Sequence, residues 1–363
     1  MSPAWPPELR ALAALLSEEG RPAPPLSETA WERLASLAIS RHRVAPLLAE
    51  RLPAEAPHAV RDALAEAQTD AAFTALVQKQ ETRRLTGLLA AAEAPAIVLK
   101  GWPLAERLYG AASARQAKDI DLFVAPEALP VAIACLEEAG YAPLAGLETR
   151  RLLAHAADPA LLAETNDIAL VHPAGHMVEL HWRLTHLAGW LDLATLPDAT
   201  ARHPIDATGE TVRVLSDRAN LIYLAVHGQL HLWGRLRWLH DVARLLSLKP
   251  GAEVMADLAA AERLGAGRAL RLAGHLAAEV FAAPLPPDWP PARWLERRAL
   301  AQFRRLIAAP GGEPGRPAAR LGYYLGILAL GEGLTQRLAA PRYAIWRNAR
   351  LHWAGRARAR ALR

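Results

Sequence analysis

The chain has 363 residues, 52% of them hydrophobic, with 42 Lys and Arg against 37 Asp and Glu, which is ample for a sizeable core in about two domains. A single cysteine, Cys135, excludes an intrachain disulfide and a thiolate zinc cluster and fits a reducing, cytoplasmic setting. The net charge of +5 is a property of the end: "RNARLHWAGRARARALR" holds six arginines and no acid, leaving −1 for the rest. That tail is expected to be solvated, with nucleic acid or an acidic membrane surface as the alternative.

The first residues, "MSPAWPPELRALAALLSEEG", carry prolines and acids where a signal peptide would have a basic flank and a continuous apolar run, so export is not expected. From Pro7 to Glu93 apolar residues recur at three and four positions, which predicts helices, the longest over "HAVRDALAEAQTDAAFTALVQKQETRRLTGLLAAAEA". Prolines 22, 24, 25, 46 and 53 punctuate them. After Pro95 the period changes. "AIVL" reads as a strand running into Lys100, "PLAERLYG" as a helix, "AASARQA" as a loop, and "DIDLFV" as a strand closed by Pro126.

"EALPVAIACLEEAGY" is predicted as a helix ending at Gly140, and "DIALVHPAGHMVELHWRLTH" as a hairpin turning at His172-Pro173-Ala174-Gly175. Beyond about residue 213 the pattern is helical to the end, interrupted by "APLPPDWPPARW", and "LGYYLGILALGEGL" (Leu321 to Leu334) reads as a buried helix too broken by Gly and Glu to span a membrane. The predicted architecture is α+β. A small mixed-sheet core at residues 94–185 sits between an N-terminal helical segment, 1–93, and a C-terminal helical domain, 186–363, with the basic tail.

Strands usually avoid Asp, yet Asp119 and Asp121 project from one face of the "DIDLFV" strand while Ile120 and Leu122 project from the other. Carboxylates this close repel unless cations neutralise them, and a divalent metal is the natural neutraliser. Mg²⁺ commonly uses one or two protein carboxylates and completes its shell with water and substrate phosphate. In "HMVELHWRL", Glu179 supplies a third acid by the same alternation, with His181 and Arg183 on its face. The alternatives are a strand-end pair of aspartates compensated by Lys118 and Arg115, and a His181 hydrogen-bonded beneath helices.

Downstream, His227 and His231 lie one helical turn apart, but "HGQLH" lacks the glutamate a zinc peptidase of that spacing uses as base. His240 and Asp241 resemble a fragment of a metal-dependent phosphohydrolase, although the histidines and the His-Asp pair fall on nearly one helical stretch. The favoured reading has these residues line the cleft from the helical side or pair within the bundle, Asp241 with Arg237.

Three acids on two strands, preceded by a strand, a Gly turn and a helix, are similar to the polymerase-β-like nucleotidyltransferase superfamily. More specifically, "LKGWPLAERLYG", Arg115, "DIDLFV", "VELHWRL", "HGQLHLWGRLRWLHDVARLL" and "LAISRHRVAPLLAERL" resemble a bacterial group described as uncharacterised nucleotidyltransferases, over about residues 30 to 250. The resemblance implies transfer of an NMP from an NTP to a hydroxyl acceptor on a small molecule, peptide or protein, with release of pyrophosphate. It implies two Mg²⁺ ions, or Mn²⁺ in their place, held by Asp119, Asp121 and Glu179. It further implies that Gly101 lets the backbone approach the triphosphate and that Lys100 and Arg115 compensate its charge. His181, Arg183, His227 and Asp241 would line the cleft. The turn is Lys100-Gly101-Trp102 where most of the superfamily has Gly-Ser, and Lys118 is left without a role. The alternative is a binding protein of the same fold, without catalysis, in a biosynthetic or toxin-antitoxin complex.

Overall fold

The computed structural model of the chain describes residues 5–144, 162, 165–187, 190–196, 198–309, 331–333 and 336–338. The arginine tail and most of Leu321 to Leu334 lie outside the described residues.

The N-terminal third is helical: α1 (Pro7–Leu15), α2 (Glu28–Ser36), α3 (Ala45–Ala49) and α4 (His58–Ala91). Ser27 caps α2 by accepting the Ala30 N–H, and α2 runs into a π-helical turn, Leu37–Arg41. No proline falls between Pro57 and Pro95, so α4 extends unbroken for 34 residues. Its buried side chains, among them Val60, Leu64, Ala67, Ala71, Leu85 and Leu89, recur at helical spacing and give it one face for the core.

The sheet is built from β1 (Ile97–Val98), β2 (Ile120–Phe123), β3 (Ala142–Pro143), β4 (Asp167–Val171), β5 (Met177–His181), β6 (Thr200–Pro204) and β7 (Thr211–Leu215). Helix α5 (Trp102–Tyr109) joins β1 to β2, and α6 (Leu129–Glu138) follows β2. The seven strands lie in the order β3-β4-β5-β2-β1-β7-β6. β2 pairs parallel with β5 and antiparallel with β1, β1 pairs parallel with β7, and β4–β5 and β6–β7 are antiparallel hairpins. One sheet face sends Ile120, Leu122, Ile168, Leu170, Val178 and Leu180 against Leu85 and Leu89 of α4 and Leu129, Ile133 and Leu136 of α6. The alternate residues of β2 and β5 therefore face the other way.

The chain is α+β, as expected. The sheet nevertheless runs past residue 185 and takes in β6 and β7, in a stretch expected to be helical. β6 reads Thr-Ala-Arg-His-Pro and lies at the sheet edge, so it carries almost no hydrophobic alternation to betray it.

Beyond β7 come α7 (Asp217–Leu230), capped by Ser216, then α8 (Leu236–Ser247), α9 (Gly251–Arg263), α10 (Gly267–Phe281) and α11 (Trp294–Ala308). The N-terminal helices dock on these. Ser17 Oγ donates to the Phe281 carbonyl at 3.1 Å, Arg41 donates to the Leu306 and Ile307 carbonyls at 2.8 Å, and the Leu236 N–H donates to His42 Nδ1 at 3.2 Å. No helix among the described residues is long and apolar enough to cross a membrane.

Candidate active site

Parallel pairing of β2 with β5 sets Ile120 opposite Val178, Asp121 opposite Glu179 and Leu122 opposite Leu180. The apolar partners fix the register, because a one-residue slip of either strand would drive its acid into the core. On the opposite face, Asp121, Glu179 and His181 bring ligand atoms within 4.8 Å of one another. His181 Nε2 lies 3.2 Å from Asp121 Oδ1 and 3.7 Å from Glu179 Oε2.

Lys100 reaches the same carboxylate from the turn after β1, with Nζ 3.1 Å from Asp121 Oδ1. The turn is anchored beside β2 by the Leu99 N–H, which donates to the Asp121 carbonyl at 3.0 Å. Gly101 then adopts φ 77 and ψ −144, a conformation that side-chain-bearing residues avoid, and becomes the N-cap of α5. Pro103 in the first turn of α5 needs no amide partner there, so the helix starts cleanly and presents its first N–H groups beside Lys100.

Burial alone would keep Asp121 protonated, but the Lys100 ammonium and the His181 hydrogen bond hold its carboxyl well below the usual range. Burial likewise opposes charge on Lys100 and His181; Asp121 overrides it, raising Lys100 above its ordinary value and, with Glu179, lifting His181 to about 9. Asp121 is thus ionised and held between the Lys100 ammonium and the His181 ring. Two carboxylates and an imidazole at this spacing suit one small divalent cation, whose binding would displace the His181 proton. The oxygens meet the preference of Mg²⁺, and the nitrogen suits Mn²⁺ equally.

Asp119 stands immediately before β2, half-buried and outside the group of three, and its charge acts on Arg43. Arg183 follows the end of β5 and donates to the Thr165 carbonyl at 2.8 Å, so it does not join His181. His227, on α7, has its ring centroid 4.5 Å from that of His231; burial and then the Lys100 charge hold its pKa well below the ordinary value.

Arg115 is only 4% exposed, and its Nε donates to Asp241 Oδ2 at 2.9 Å. Asp241 therefore pairs with Arg115 and not with Arg237, because the loop before β2 folds under α8 and brings a longer-range cation to it. Tyr109 Oη completes the arrangement, donating to Asp241 Oδ1 at 2.8 Å and lying 3.0 Å from His240 Nδ1, while His240 Nε2 donates to the Leu16 carbonyl at 3.1 Å. His240 Nε2 is taken by a main-chain carbonyl and both Asp241 oxygens are taken by Arg115 and Tyr109, which argues against the phosphohydrolase reading of His240 and Asp241.

Two neighbours were not anticipated. Asp167 stands opposite His181 across the β4–β5 hairpin, with Oδ2 3.9 Å from His181 Nδ1, an atom that has no hydrogen-bond partner. Counting outward from the His172–Gly175 turn would have placed it there. Tyr223 of α7 holds its ring 5.8 Å from Lys100 Nζ; nothing in its apolar surroundings in sequence marks it.

A family model described as an uncharacterised nucleotidyltransferase matches residues 27–282, well over half of the chain. No curated protein matches the chain. The chain belongs to the uncharacterised nucleotidyltransferase family.

Proposed function

We propose that this member of the nucleotidyltransferase family moves an NMP from an NTP to a hydroxyl acceptor and releases pyrophosphate. The observation that carries the reading is the register of Asp121 with Glu179 beside the Lys100–Gly101 turn. Asp121, Glu179 and His181 would hold a divalent cation. When bound, Mg²⁺ supplies charge neutralisation for the phosphates and a template for the reacting oxygens.

The protein's own groups supply the rest. Lys100, paired with Asp121 here, would be free to reach a phosphate oxygen once that carboxylate is engaged elsewhere, and the N-terminus of α5 would offer backbone N–H groups to the same oxygens. Glu179 has 31% of its side chain exposed against 5% for Asp121, so it is the carboxylate that an acceptor hydroxyl would meet. His181 holds the two acids in place from between them.

Incubation with each labelled NTP and Mg²⁺ tests this. The expected result is a labelled acceptor or self-labelled protein that is lost in Asp121→Asn. NTP binding without turnover on any offered hydroxyl acceptor would make the chain a binding protein on this fold, and metal-dependent NTP binding unchanged in Asp121→Asn would remove the site.

A further inference from the structure

Four arginines from three separate segments lie within reach of one another's charge, and Asp121 of the carboxylate site acts on one of them, Arg115. Arg115 lies on the loop that leads into β2, Arg43 follows the π-helical turn after α2, and Arg235 and Arg237 open α8. Their charges act on one another: Arg235 and Arg115 on Arg43, and Arg115, Arg43 and Arg235 on Arg237. Opposing them are Asp119, which acts on Arg43, and Asp241, already taken by Arg115 and Tyr109.

The floor of this cluster is built and unsatisfied. Arg115 is 4% exposed and Arg237 8%, and Arg115 Nη2 and Arg237 Nε are buried donors with no hydrogen-bond partner. The other end of Arg237 is fixed, since its Nη1 donates to the Gln116 carbonyl. Burying these two guanidinium donors without an acceptor is costly.

The backbone that carries the cluster is strained in two of its three segments. Arg43 has φ 53, and Leu232 and Trp233, just before Arg235, have φ 52 and 54, left-handed values that non-glycine residues seldom adopt. The two loops are clamped together by the Leu236 N–H bond to His42 Nδ1. Burial and the three neighbouring charges push the Arg237 pKa down to about 9, a repulsion that a bound anion would relieve.

We propose that Arg43, Arg115, Arg235 and Arg237 form a phosphate-binding pocket, with Arg115 and Arg237 as its floor and the half-buried Arg43 and Arg235 as its mouth. Planar guanidinium forks match phosphate oxygens bidentately, which an ammonium cannot do. The phosphate is either the terminal part of the NTP or a group on a phosphorylated acceptor; that choice rests on the transferase reading, whereas the pocket does not.

The test is calorimetric titration of the whole chain with inorganic pyrophosphate, without metal, and then with NTP and Mg²⁺. Arg43→Gln and Arg235→Gln, at the mouth, are checked for folding by their thermal transitions, and Arg237→Lys keeps the buried charge without the fork. Each Gln variant is expected to weaken pyrophosphate about tenfold, the value of losing one charge-assisted contact. Glu179→Gln, at the exposed carboxylate, is expected to keep pyrophosphate binding, so a failure of the transferase reading leaves this result standing. A parallel loss of NTP affinity in the Gln variants assigns the pocket to the triphosphate; retained NTP affinity assigns it to a phosphorylated acceptor. No pyrophosphate binding by the unaltered protein, or binding that both Gln variants keep, overturns the pocket.

Discussion

Asp121 and Glu179 face each other across two parallel strands, yet one is almost fully buried and the other is a third exposed. The same register therefore gives two carboxylates of unequal cost to remove.

Asp121→Asn leaves Lys100 and His181 buried without their anion, and breaking a buried pair by removing one partner typically costs about 3–5 kcal/mol. Glu179→Gln is expected to cost under about 1 kcal/mol, as exposed polar changes usually do. Both are expected to lower nucleotidyl transfer by roughly 100-fold or more, the scale on which oriented electrostatic groups act. Urea titrations and initial rates on the two proteins check the split.

Lys100 Nζ sits on Asp121 Oδ1, an oxygen that a bound metal would need. Lys100→Gln is therefore expected to tighten Mn²⁺ binding in the absence of nucleotide by several-fold, while weakening NTP by about tenfold through the lost phosphate contact. Titrations of Mn²⁺ alone and of NTP measure the two opposite shifts; a loss of both would mean that Lys100 only props the turn.

The Arg115–Asp241 pair is a stability element. Asp241→Asn strands a buried guanidinium and is expected to destabilise the fold by about 3–5 kcal/mol. Tyr109→Phe removes one neutral donor to the same carboxylate and is expected to cost about 1 kcal/mol. Denaturant midpoints at constant slope separate the two.

His42 is fully buried, and its Nδ1 must stay unprotonated to accept the Leu236 N–H. Burial, followed by the Arg41 and Arg235 charges, lowers its pKa from 6.5 to about 3. Between those values the unfolded chain binds the proton and the folded chain does not, so stability is full above about 6.5 and is lost as pH falls toward 3. His42→Asn, which keeps an acceptor oxygen near Nδ1, is expected to flatten the fall in melting temperature between pH 6.5 and 4.

The central strands were legible because each carries its own alternation: Ile120 and Leu122 against Asp121, and Val178 and Leu180 against Glu179 and His181. The hairpin of β4 with β5 followed from its turn residues, and α4 from its uninterrupted period. β6 escaped because an edge strand half in solvent needs no apolar face, and with it went the true extent of the sheet. Arg115 could be seen as a lone cation in a loop, but its partner lies 126 residues on, a distance over which pattern carries no signal. Asp167 was within reach of a register count. The arginine pocket was not, since its members are scattered over three segments and acquire meaning only when a hydrogen bond at His42 draws two of those segments together.

β1 is two residues long and survives because it has a strand on each side, β2 from within the expected core and β7 from beyond it. Residues 94–185 moved alone into another protein would leave that strand with one flank bare and the Lys100 turn unsupported from the β7 side. The sheet is thus not a detachable cassette: the Lys100 turn stands where it does only with β7 and the helices beyond it in place.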